Sequence, residues 1–195
     1  MDTASREARA SAAFIALTDT LVDEFDLDDL LHTLIDACLD LLEADAGGLL
    51  LADARGDLRL LASSVEKVDV VEVVQLSASA GPCLDCFRTG EQVSIADVER
   101  DAAAWPDFQR AALRQGYRSV HATPMRLRGQ VIGTLNLFGS RAGAMPSEDV
   151  ALAQALADAA TIAILQERGT RRLPCAHPPR DDDGSRGVVE TAIAT

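Results

Sequence analysis

Apolar residues recur every three or four positions through two successive stretches near the start of the chain. The first comprises Ala10, Ala13, Phe14, Leu17 and Leu21, and the second Leu30, Leu31, Leu34, Cys38, Leu41 and Leu42. That period predicts two helices, each with one apolar stripe. The acidic run from Asp26 to Asp29 separates them with N-cap chemistry, and the second helix stops near Gly47 and Gly48. The period then changes. "GGLLLAD" and "LRLLASS", joined by the turn-like "ARGD", read as a strand hairpin.

Further along, "EKVDVVEVVQLSA" is compatible with helix or strand. It is assigned to a surface helix because Val70, Val73 and Val74 with their flanking charges suit one. "EQVSIADV" reads as a strand, and "WPDFQRAALRQG" as a helix ended by Gly116. "YRSVHATPMRL" and "QVIGTLNLF" read as two strands about the turn Arg128-Gly129. The last helix starts at Pro146 with an acidic first turn, and Val150, Ala153, Leu156, Ala160 and Ala163 mark one face as far as Glu167. After Arg168 the proline-rich segment and the triplet Asp181 to Asp183 read as a disordered tail. The expected organisation is an N-terminal helix over 1–25, one domain over 26–168 and a tail over 169–195.

The 195-residue length suits one domain with tails, and 48% hydrophobic with 25% charged residues is globular composition. The net charge of −13 opposes the phosphate backbone, so direct nucleic-acid binding is not expected. No apolar run approaches the ~20 residues of a membrane span, and the N-terminus lacks a signal peptide's pattern. A cytoplasmic location with four reduced cysteines is expected.

Three stretches together carry a family resemblance: "GPCLDCFRTGEQVSIADV", "WPDFQRAALRQGYRSVHATPMRLRGQVIGTLNLF" and "SEDVALAQALADAATIAI". With the order of elements, they resemble a GAF domain over roughly Asp26 to Glu167, similar to those that actinobacterial regulators carry ahead of an ANTAR RNA-binding domain. The resemblance implies an α+β fold: an antiparallel sheet of five to six strands, terminal helices on one face, connecting helices and loops on the other. No helical pattern follows Arg168, so it covers the sensor half alone, as a truncated relative or a stand-alone partner of such regulators. It implies a non-catalytic sensory and dimerisation module of bacterial signalling or transcription control that can bind a small ligand, the alternative being a protein-interaction subunit whose pocket is filled by its own side chains. The GAF scaffold hosts cyclic nucleotides, tetrapyrroles, amino acids, ions or nothing, so no ligand or cofactor is identified.

Several residues are candidates for chemistry. Cys83 and Cys86 have half of a zinc site's spacing but no second pair, and no metal site is expected. As a redox pair they would form a thiol switch at a short helix N-terminus; the resemblance instead implies thiols packed inward. In the proposed strand Ser119, His121 and Thr123 share one face. Pairing Leu127 with Gln130 and counting back sets His121 opposite Asn136 and Thr123 opposite Thr134. These four side chains form the candidate ligand site, expected to lie under the segment from Ala80 to Thr89. The alternative is a filled core in which His121 and Asn136 bond each other or nearby backbone, which carries more weight because buried polar groups are usually satisfied internally. Pro124 can introduce a bulge that shifts the count. Haem through a lone His121 is a weaker option.

No phosphate loop or nucleophile elbow is present, and His32, His121 and His177 lie in separate regions, so catalysis is not expected. Asp26 to Asp29 lacks the spacing of a calcium loop and reads as a cap. Trp105 and Phe108 read as anchors of a short helix. The terminal helices carry more apolar surface than one sheet face covers, so a homodimer through them is expected.

Overall fold

The computed structural model describes residues 3–19, 27–127 and 129–172. Along the chain run α1 (Thr3–Asp19), α2 (Leu27–Leu41), β1 (Ala46–Ala52), β2 (Leu58–Ser63), α3 (Glu66–Ala78) and α4 (Pro82–Thr89). There follow β3 (Val93–Ile95), α5 (Val98–Asp101), α6 (Pro106–Gln115), β4 (Ser119–Leu127), β5 (Gln130–Gly139) and α7 (Ser147–Arg172). The strands form one five-stranded antiparallel sheet in the order β2-β1-β5-β4-β3. The α+β class and the sheet are as expected.

Because strand side chains alternate, each face of the sheet needs its own cover. On one face Leu49, Leu51, Leu135 and Leu137 pack against Leu31, Leu34 and Ile35 of α2 and Ala153, Leu156 and Ala160 of α7. On the other, Val120, Phe138 and Ile95 meet Val68 and Val71 of α3 and Phe108 of α6. Leu50 and Leu58 meet Cys83 and Leu84 of α4. Phe108 is fully buried with Trp105 packed beside its cluster, so the aromatic pair anchors α6 as expected.

Ala10, Ala13 and Phe14 of α1 pack on the core formed by α2 and α7. Arg6 pairs with Asp149 at the start of α7, and Arg9 reaches Asp40 of α2 at 2.9 Å. The stripe expected to face a second copy is thus partly used within the chain. Leu21 and the side chain of Leu17 lie outside the described residues, as do Asp26, Arg128, Cys175, His177 and the acidic triplet from Asp181. α7 continues to Arg172 rather than ending at Glu167. A single glycine within a helix costs only about 1 kcal/mol, and the arginines that follow suit a helix C-terminus.

The surface helix expected at α3 is present, and the pairing of β4 with β5 corrects the sequence reading. In α3 the inward positions are Val68, Val71, Glu72 and Gln75, while Val70 and Val73 face outward at 47% and 52% exposure. Between β4 and β5 the pairing begins at Leu127↔Gln130 and continues to Arg126↔Val131, but the next pair is Met125↔Gly133. Ile132 is an extra residue on β5, a bulge that slips every later pair by one.

Phe108→Ala removes one of the two fully buried phenylalanines in the core under α3 and α6. It should cost about 3–5 kcal/mol, read as a lowered urea midpoint with an unchanged denaturant slope.

Candidate functional site

A one-residue slip turns a strand's side chains to the opposite face relative to its partner. After the Ile132 bulge His121 pairs with Leu137, Ala122 with Asn136, Thr123 with Leu135 and Pro124 with Thr134. The four candidate ligand residues therefore do not converge. His121 and Thr123 lie on the α2–α7 face with Leu135 and Leu137. Thr134 and Asn136 lie on the α3–α4 face. No bond joins His121 to Asn136, so the filled-core alternative fails in that form as well.

On the α3–α4 face Asn136 meets a partner that the sequence reading passed over. Its Nδ2 donates to Glu72 Oε1 at 2.7 Å and to Thr134 Oγ1 at 3.3 Å. Gln75, one helical turn after Glu72, donates from Nε2 to Glu72 Oε2 at 2.9 Å. Its Oε1 accepts the backbone N–H of Cys83 at 3.2 Å, which satisfies one of the free donors at the start of α4. The Cys83 thiol lies close enough to the Glu72 carboxylate for the two to influence each other's titration. Glu72, Gln75 and Thr134 are fully buried.

Two glycines make room for this cluster. A Cβ on Gly48 of β1 would lie 2.7 Å from Val68 Cγ1 and 3.0 Å from Glu72 Oε1. One on Gly81, at the start of α4, would collide with the Gln75 side chain. Gly48 lets Val68 and Glu72 of α3 lie close over the sheet, and Gly81 leaves room for the Gln75 side chain.

Burial pushes the Glu72 carboxyl up to about 7, against the bonds from Asn136, Cys83 and Gln75 that favour its charged form. A buried carboxyl that titrates near neutrality is the most perturbed acid in this region. The sequence held one signal of it: an acidic residue and an amide at i and i+3 inside a valine-rich helix, on the face away from Val70 and Val73.

Cys83 and Cys86 are buried free thiols. Desolvation pushes Cys86 up to about 12 and Cys83 well above the ordinary thiol value, with the Glu72 charge adding to the latter. Cys38 is pushed up to about 12 by burial alone. Thiolate chemistry at neutral pH needs the opposite shift. Among the described residues no group of three His, Cys, Asp or Glu side chains is placed to hold a metal ion. On the other face the nitrogens of His121 and the hydroxyl of Thr123 are buried without a partner, and burial lowers the pKa of His121.

A family model described as GAF domain matches residues 25–165. No curated relative matches the sequence. Among solved structures, the GAF domain of an Acinetobacter phosphoenolpyruvate-protein phosphotransferase is 18% identical, with 87% of this chain and 97% of that one covered at a TM-score of 0.65. A domain of a Sinorhizobium meliloti putative two-component sensor histidine kinase is 17% identical, with 77% and 100% covered at 0.64. A free methionine-R-sulfoxide reductase of Neisseria meningitidis, in complex with its substrate, is 20% identical, with 87% and 95% covered at 0.63.

The Glu72 shift fixes the sign of a pH effect. An acid held at about 7 in the folded chain and near 4.5 in the unfolded one favours folding fully below pH 4.5. That advantage is lost as pH rises to about 7, a difference of roughly 3 kcal/mol. Thermal unfolding of the unmodified chain and of Glu72→Gln across pH 4.5–8 should show the loss in the first and not in the second. Parallel profiles would contradict the assignment.

Proposed function

The chain belongs to the GAF domain family, and on that premise we propose that it is a non-catalytic sensory and dimerisation module of bacterial signalling or transcription control. The observation that carries this reading is the Glu72 cluster. The sheet face under α3 and α4, where the family resemblance leads a ligand to be expected, is filled by the chain's own Glu72, Gln75 and Asn136. The regulatory output then comes from what the module contacts, with Glu72 protonation as the event inside it. The finer proposal is the sensor half of a regulator like the actinobacterial ones that bear ANTAR domains.

Homodimerisation through the terminal helices is part of the proposal. Ile15 of α1 and Ile162 of α7 are 58% and 42% exposed. No single described helix is long and apolar enough to cross a membrane, and the net charge of −13 supports a protein partner over nucleic acid. A reductase needs a thiol pKa lowered towards neutrality, whereas among the described residues burial raises those of Cys38, Cys83 and Cys86.

Light scattering on the purified chain should give a dimer at micromolar concentration, and Ile15→Asp with Ile162→Asp a folded monomer. A monomeric unmodified chain contradicts the dimer proposal. Incubation with free methionine-R-sulfoxide should leave the thiol count of the reduced protein unchanged. Loss of two thiols per sulfoxide reduced would make the chain an enzyme.

A further inference from the structure

The outward stripe of α3 is left uncovered by the rest of the described chain. Val70, Val73, Val74, Ser77 and Ala78 recur at helical spacing, yet Val70 and Val73 are 47% and 52% exposed. With Val65 just before the helix, they are three of the six large apolar side chains exposed among the described residues. Helix propensity does not explain them, because β-branched side chains are the weaker helix formers. α6 lies alongside, and between the two helices runs a groove of about 730 Å³. Ala111 of α6 extends its apolar surface, and Asp107, Arg110 and Arg114 stand along the α6 wall.

We propose that this groove receives one acidic amphipathic helix of a partner protein. Its walls select each part of that description. Both walls are helices, whose backbone groups are bonded within themselves, so an extended peptide would find no strand edge to join. An incoming helix brings its own backbone bonds and needs only places for its side chains. The α3 stripe from Val70 to Ala78 is about 12 Å long, two helical turns. It takes aliphatic side chains three and four positions apart on the incoming helix.

The α6 wall selects the charge. Asp107 is paired with Arg110, whereas Arg114 is exposed and has no ion pair among the described residues. Two arginines against one aspartate leave the groove positive in a chain of net charge −13. At physiological salt that overall charge is screened beyond about 8 Å, so Arg114 decides the contact. A carboxylate beside the aliphatic stripe of the incoming helix meets it. The site is separate from the proposed terminal-helix dimer, which uses Ile15 and Ile162.

The probe is a synthetic helical peptide of about 14 residues, four turns, with leucine every three or four positions and glutamate on the flanks. Two controls accompany it: the same peptide with lysine for glutamate, and the acidic composition in scrambled order. Affinity for the full chain is read from the anisotropy of a fluorescent label on the peptide, and the site from the ¹³C-methyl signals of Val70, Val73 and Val74. The acidic helix should bind saturably and shift those signals, and both controls should bind more weakly. Arg114→Glu, at an exposed position, should weaken the acidic helix about fivefold, the worth of one exposed ion pair, and strengthen the lysine peptide. Val70→Ser with Val73→Ser, which leaves helix propensity nearly constant, should weaken the acidic helix by about tenfold. No binding of the acidic helix, a scrambled peptide that binds as well, or an unchanged preference in Arg114→Glu would overturn the proposal. Two other occupants would overturn it as well: a peptide of residues 173–195 that moves the same valine signals, or a dimer that the paired valine substitutions convert to monomer.

Discussion

A carboxyl without access to water sits where α3, α4 and the sheet meet, and the arrangement of that half of the protein follows from satisfying it. Glu72 takes hydrogen bonds from Asn136 of β5 and Gln75 of its own helix. Gln75 then holds the first turn of α4 through the Cys83 N–H. Three elements are thus tied to one side chain. Leaving such a group unpaired would cost far more than the bonds contribute, so its partners are fixed as a set. Gly48 and Gly81 belong to the same set, because a side chain at the first would press on Val68 and Glu72 and one at the second would displace the Gln75 side chain.

Much of the fold was legible in the sequence. The 3.6-residue period located α2, although the helix spans Leu27–Leu41 and its expected stop near Gly47 and Gly48 falls inside β1; the change to short apolar runs located the β1–β2 hairpin. Gly116 ended α6 where its type predicts, in the left-handed conformation. The alternation of Ser119, His121 and Thr123 was also read correctly. What failed was the step from one strand to its neighbour. Nothing in "QVIGTLNLF" marks Ile132 as an extra residue, and Pro124, the residue suspected of a bulge, pairs regularly with Thr134. One slipped residue moved Thr134 and Asn136 through the sheet, and the four-residue site with them.

Glu72 was missed for a different reason. Hydrophobicity alone sets Val70 and Val73 inward, yet both face solvent while an acid and an amide are buried. Local pattern loses here to tertiary partners that lie more than sixty residues away in sequence, at Asn136. Such a reversal is the kind of local inconsistency that marks functional positions. The two faces of the sheet end with different chemistry: a closed cluster around an acid on one, and an unpaired imidazole on the other. The helices α1, α2 and α7, joined by Arg6 to Asp149 and Arg9 to Asp40, cover the second face.

The central claim is that the chamber under α3 and α4 is occupied by a Glu72 carboxyl that exchanges its proton near neutrality. Site-resolved ¹³C NMR of the Glu72 carboxyl carbon, titrated from pH 3 to pH 9 in the full chain, tests this most directly. A midpoint at about 7, well apart from the exposed glutamates, is the predicted result. A midpoint at the ordinary value near 4.5 would mean that water reaches the carboxyl and that the chamber is not closed.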